Sequence, residues 1–119
     1  MEWYFRNDQP IYTQLTQQIT LAILSGSIPS GGRLPTVREL AAEAGVNPNT
    51  MQRALAQLEQ DGLAKADRTA GRLVTQDTAI LDAVRRAEAH VVVNQYYHAM
   101  AELGYSQQEA TAMLKEEHT

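Results

Sequence analysis

Asn49, Gln52 and Arg53 fall within one short stretch of the chain, and amide and guanidinium side chains are the groups that match base edges, Arg to guanine and Asn or Gln to adenine. Thr36 and Thr50 add hydroxyl groups that suit phosphate, as does a helix start at Asn47 and Pro48. A third group, Arg68, Gly71 and Arg72, follows after a gap. Residues 44–58 hold no acid and include Arg53, while Arg33, Arg38, Lys65, Arg68 and Arg72 surround them in sequence. Together these residues are equipped to read nucleic acid. Catalytic and metal chemistry find less. Ser25, Gly26, Ser27 and the pair Gly31, Gly32 have the composition of a phosphate cradle but lack its Lys-Ser/Thr. His90 and His98 are eight apart, not the i, i+4 spacing of a helical metal pair, and the chain has no cysteine. No cofactor or metal is expected.

Elements that could position these groups are legible in the pattern. Ile11, Leu15, Ile19, Ala22 and Ile23 recur at helical spacing, giving a first helix over about 10–24 that starts after Asp8 and stops at Gly26. Residues 25–35, rich in Ser, Gly and Pro, form a loop. Thr36 and Glu39 make a capping box for a short second helix ending near Ala44, where Gly45 allows positive φ. Asn47 as N-cap and Pro48 at the first turn open a third helix with the apolar stripe Met51, Ala54, Leu55 and Leu58. Gly62 ends it, and residues 63–66 and 72–75 pair as a hairpin. A long fourth helix begins at Asp77 or Thr78 and closes at Gly104. Ser106 and Glu109 cap a fifth, with Ala110, Met113 and Leu114 facing inward.

The formal charge of −4 is unusual for a DNA-binding chain, but it is unevenly spread. Residues 1–76 carry seven Lys/Arg against seven Asp/Glu, for 0, and residues 77–119 carry three against seven, for −4. The first part, 1–76, is therefore the candidate DNA-binding domain and the second, 77–119, an acidic tail. No secretory leader or bilayer-spanning apolar run is evident, and a soluble cytoplasmic protein with no membrane association is expected.

Four ordered motifs, P-I-Y-x-Q-L at 10–15, L-P-T-V-R-E-L-A at 34–41, G-V-N-P-N-T-M-Q-R-A at 45–54 and L-E-x-D-G-L at 58–63, resemble the GntR family of bacterial regulators. The resemblance implies a mainly α fold with a small β-hairpin, that is, a winged helix-turn-helix followed by a two-helix tail. It also implies that Arg38 of the L-P-x-x-R motif reaches DNA, the alternative being a surface ion pair with Glu39 or Glu43. Arg53 could instead bond within the domain, and Asn47 could serve only as a cap. The wing, 68–74, departs from the family pattern by keeping one glycine and carrying Leu73 where an aromatic is common.

A tail of 43 residues is too short for the larger effector domains of the family and resembles the YtrA subfamily, which implies a homodimer regulating its own or a transporter operon. Ile80, Val84, Ala87, Val91, Tyr97, Met100, Met113 and Leu114 are the apolar positions expected to meet the second copy. The partners expected are thus a double-stranded DNA operator and a second chain, with a small-molecule effector left open. Trp3, Tyr4 and Phe5 are expected to pack as an aromatic arm on the domain or on a second subunit. The competing reading is a winged helix used as a protein-interaction module.

Overall fold

The computed structural model describes residues 1–116 and shows α1 (Ile11–Ser25), α2 (Val37–Ala44), α3 (Pro48–Gln60), β1 (Ala64–Asp67), β2 (Gly71–Val74), α4 (Thr78–Glu102) and α5 (Gln107–Glu116). It is mainly α with one antiparallel hairpin, the winged helix-turn-helix expected from the motifs. Two compact units are present, Met1–Leu81 and a second beginning at Asp82. The expected boundary at 76/77 marks the end of the wing. The first unit runs on to Leu81, with the Ile80 side chain lying 3.4 Å from the place a Cβ on Gly62 would occupy.

The first unit is organised by three helices whose apolar stripes meet. Leu15, Ile19 and Ile23 of α1, Leu40 and Ala41 of α2, and Met51, Ala54, Leu55 and Leu58 of α3 are buried, joined by Leu34, Leu63 and Val74. Each large aliphatic side chain taken fully from water contributes about 1.5–3 kcal/mol, so this cluster fixes the helices against one another. Pro10 occupies the N-cap position with ψ 141°, so α1 starts one residue after the proline, and Asp8 pairs with Arg6 instead of capping the helix.

Local chemistry sets the turn between α2 and α3. The Thr36 hydroxyl accepts from the Glu39 amide at 3.1 Å and the Glu39 carboxylate accepts from the Thr36 amide at 3.3 Å, completing the capping box. Gly45 takes φ 71°, which a side chain would strain, and two residues later the Asn47 side chain accepts from the Asn49 amide at 2.7 Å. The chain therefore reverses between α2 and α3 within residues 45–47.

The wing differs from expectation by one residue at each strand. Ala64, Lys65, Ala66 and Asp67 pair with Val74, Leu73, Arg72 and Gly71, which leaves only residues 68–70 for the turn. Asp67 explains the shift: its carboxylate accepts from the Ala70 and Thr69 amides and the Thr69 hydroxyl, each at 2.9 Å, and this holds its pKa below the usual carboxylate value. The alanines of β1 are tolerated because Ala64 is buried against the helices while the rest of the strand faces outward. Residues 31–34, read from sequence as plain loop, form a partial third strand: Arg33 bridges to Leu73, and the Leu34 amide donates to the Arg72 carbonyl at 2.9 Å.

In the second unit α4 and α5 are tied by tyrosines. The Tyr96 hydroxyl donates to the Ala110 carbonyl at 2.8 Å, and the Tyr97 hydroxyl lies 2.7 Å from that of Thr111. Ser106 and Glu109 form the expected capping box, and their hydrogen bonds hold the Glu109 carboxyl below its usual pKa. Of the three residues expected to face inward from α5, Ala110 is fully buried, Met113 is half-buried and Leu114 is 46% exposed. The short α5 turns only its Ala110 side fully onto a neighbour. None of the 25 residues of α4 is buried.

Candidate nucleic-acid interface

The buried stripe of α3 leaves a defined arc for other work. At about 100° per residue, Asn49, Ala56 and Gln60 lie opposite that stripe, with Gln52 on one flank and Arg53 on the other. All five are exposed, and the arc carries no acid. The Asn49 and Gln52 side-chain amides make no hydrogen bond among the described residues. Their donors and acceptors are available to a base edge.

Arg53 is held. Its guanidinium carbon sits 3.7 Å from the centroid of the Tyr12 ring on α1, while its N–H groups have no hydrogen-bond partner among the described residues. Tyr12 was visible in the sequence only as part of a motif. No spacing rule links residues 12 and 53, because the pair depends on how α1 crosses α3.

A second group gathers where the start of α2 meets the wing. Arg33, Pro35, Thr36, Arg38, Gly71 and Arg72 line a cleft of about 350 Å³. Arg33 and Arg38 have no ion pair among the described residues. The carboxylates that could have taken Arg38 are engaged elsewhere: Glu39 by the Thr36 amide, and Glu43 by the Met1 amino group at 2.8 Å and the Trp3 indole at 3.2 Å. Those two donors, the amino group first, hold the Glu43 carboxyl below its usual pKa. The surface ion pair weighed for Arg38 is thus absent, and its charge is uncompensated. In the sequence Arg33 counts only as one of the surrounding basic residues, without a contact of its own, because its place in the cleft depends on the bridge to Leu73.

Arg72 does not face solvent freely. It forms an ion pair with Glu59 of α3, with side chains 21% and 34% exposed, so the wing is latched to the third helix. Replacing Glu59 by Gln is expected to lower stability by about 1 kcal/mol, an ordinary value for a partly exposed pair, and to release Arg72. Released, the arginine should raise affinity for unrelated duplex DNA severalfold. Thermal melts and anisotropy titrations check both, and unchanged non-specific affinity would show that Arg72 serves the latch alone.

Of the remaining expected residues, Arg68 is exposed in the wing turn, Pro48 is exposed at the start of α3 and Thr50 is half-buried there. Asn47 and Thr36 act as caps. The aromatic arm lies on the first unit: Trp3 stacks on Phe5 with centroids 6.3 Å apart, and the Tyr4 and Arg6 backbones bond the side chains of Gln18 and Gln14. Among the described residues no His, Cys, Asp and Glu group could hold a metal, and no helix is long and apolar enough to cross a membrane.

The family described as bacterial regulatory proteins, gntR family, matches residues 11–74. The HTH-type transcriptional regulator YhcF of Bacillus subtilis is 30% identical over 97% of this chain and 95% of its own length. The HTH-type transcriptional repressor YtrA of the same organism is 38% identical over 60% of this chain and 55% of its own length. Among solved structures, a GntR family transcriptional regulator from Listeria monocytogenes superposes with a TM-score of 0.83 at 31% identity, covering 94% of this chain and 98% of that one. The DNA-binding domain of AraR, crystallised with operator ORX1, superposes at 0.57 and 28% identity over 63% of this chain and 96% of its own.

Proposed function

This chain belongs to the GntR family of bacterial transcriptional regulators, in its YtrA-like branch, and from that premise we propose that it is a homodimeric repressor reading a pseudo-palindromic operator. The exposed arc of α3 carries this reading. Asn49, Gln52 and Arg53 occupy the side of the helix that the core does not use, with side-chain amides that make no hydrogen bond among the described residues and no carboxylate on that arc to repel a phosphate. A protein-docking face would instead show apolar residues there, and Ala56 is the only one. The AraR domain, similar over the same winged region, was solved bound to its operator.

Residues Thr36, Arg38, Asn47, Pro48, Asn49, Thr50, Gln52, Arg53, Arg68, Gly71 and Arg72 remain the proposed DNA-contact set, to which the cleft adds Arg33. The caps at Thr36 and Asn47 are compatible with phosphate contact through the amides at the starts of α2 and α3. The tail, 77–119, is proposed as the dimerisation element. Its target is its own or a transporter operon, and it works in the cytoplasm. A small-molecule effector is compatible with this scheme.

Salt titration tests the reading. Each phosphate neutralised by Lys or Arg releases counterions, so the logarithm of affinity falls linearly with the logarithm of salt, by about 0.9 per phosphate. Arg33→Gln should reduce that slope by about one and weaken operator and unrelated duplex alike, with melting unchanged because its side chain has no hydrogen bond or ion pair among the described residues. A flat salt dependence of the intact protein from about 50 to 200 mM would favour the protein-interaction module instead.

A further inference from the structure

Tyr12 stands outside every function assigned above, yet it meets the one cation on the exposed arc of α3. The Arg53 guanidinium lies 3.7 Å from its ring centroid. A guanidinium on an aromatic face is held through the ring's negative face, which leaves the N–H groups along its edge available. Arg53 has no hydrogen bond or ion pair among the described residues, so that edge is unspent.

The geometry of α1 against α3 is fixed at this point. The Thr16 hydroxyl, one turn along α1, lies 2.9 Å from the Tyr12 carbonyl and 3.4 Å from the carbonyl of Ala54, the residue after Arg53. Helix α1 is thus held to the α3 backbone one turn from Tyr12, beside the arginine that its ring carries. An arginine free in water has many rotamers to lose on binding, and one already stacked loses fewer. Arg53 also sits on a flank of the exposed arc and leans back over α1. That aims it away from the centre of the arc, where Asn49 lies, and towards the edge of a groove that α3 would occupy.

We propose that Tyr12 is a positioning residue for DNA binding, its ring holding the Arg53 guanidinium so that its N–H edge meets a backbone phosphate at the rim of the major groove. The inference rests on the DNA-binding reading. It predicts a contact that adds affinity without reading sequence, because phosphates are the same at every step.

A double-mutant cycle in the full chain decides it. Tyr12→Leu removes the ring face, Tyr12→Phe keeps it, and Arg53→Gln removes the charge. Affinities are measured for a cognate inverted repeat and an unrelated duplex across a salt series, with melting temperatures alongside. The expected result is that Tyr12→Leu and Arg53→Gln each weaken both duplexes by about three- to tenfold, and that the double variant is no worse than Arg53→Gln alone. Arg53→Gln should lower the salt slope by about one, and Tyr12→Phe should behave as the parent. If Tyr12→Leu lowers the melting temperature but leaves affinity and salt slope unchanged, or if the two losses simply add, the ring is only packing and the proposal fails. A loss confined to the cognate repeat would assign Arg53 to a base and overturn the phosphate contact. Failure of the intact chain to bind any duplex would overturn the DNA-binding reading itself, a result visible before any variant is made.

Discussion

Val92→Glu is expected to turn the proposed dimer into a folded monomer and to weaken operator binding by about a hundredfold or more. The helix α4 has 25 residues and none is buried, while Val91, Val92 and Val93 are 51%, 63% and 45% exposed. Three consecutive positions of a helix span about 200° of its circumference, wider than the apolar stripe of an ordinary surface helix. An isolated helix pair of this size has little core of its own, so a face this broad calls for burial against a second copy. Val84, Ala87, Val91 and Met100 extend along the same helix, with Met113 and Leu114 on α5. Tyr97, counted with them from sequence, is partly committed to Thr111. A carboxylate at the most exposed valine would have to be desolvated without a partner, which the interface could not accommodate. The loss on DNA follows from avidity: two tethered winged domains bind two half-sites with the second step made intramolecular, and a monomer forfeits that gain. Light scattering and anisotropy on full palindrome and half-site measure it. The dimer account does not survive if the parent is already monomeric at micromolar concentration, or if Val92→Glu binds the palindrome as well as the parent.

The parts of this molecule written in neighbouring residues were readable in the chain, and the parts that depend on tertiary approach were not. Capping boxes at Thr36 and Ser106, the Asn47 cap with Pro48 behind it, and the stripe Met51, Ala54, Leu55 and Leu58 are all local, because a hydrogen bond across three residues or a repeat of three and four needs no knowledge of the rest of the fold. The wing was placed one residue out, since its register depends on which side chain closes the turn, and Asp67 bonding Thr69 and Ala70 is a choice between equally plausible turns. Arg33 became part of the basic cleft only through its bridge to Leu73, forty residues on. The pairs Arg53 with Tyr12 and Arg72 with Glu59 likewise join elements remote in sequence. Charge counting saw all four arginines but could not say which were spent: Arg72 is latched, Arg53 is stacked, and Arg33 and Arg38 have no ion pair among the described residues.

Gln52→Ala should weaken the cognate operator by about 1–3 kcal/mol while leaving an unrelated duplex nearly untouched, because a side-chain amide matched bidentately to adenine discriminates by that amount. The position supports this assignment over a phosphate contact. Gln52 lies on the flank of the α3 arc opposite Arg53, is exposed, and makes no hydrogen bond among the described residues, so its donor and acceptor are both open. Asn49 lies nearer the arc's centre, and only its backbone amide is engaged, by the Asn47 side chain at 2.7 Å. Asn49→Ala should therefore show the same selective loss, at a base nearer the start of the helix. Neither change touches the core side of α3, where Met51 and Leu55 are fully buried, so the melting temperature should stay within the scatter of ordinary surface substitutions. If the two residues read different base pairs, their losses on the cognate repeat should add, whereas operators altered at the matching pair should make one substitution silent and leave the other costly. Equal losses on cognate and unrelated duplexes would move both amides to the phosphate backbone and leave sequence discrimination to other residues.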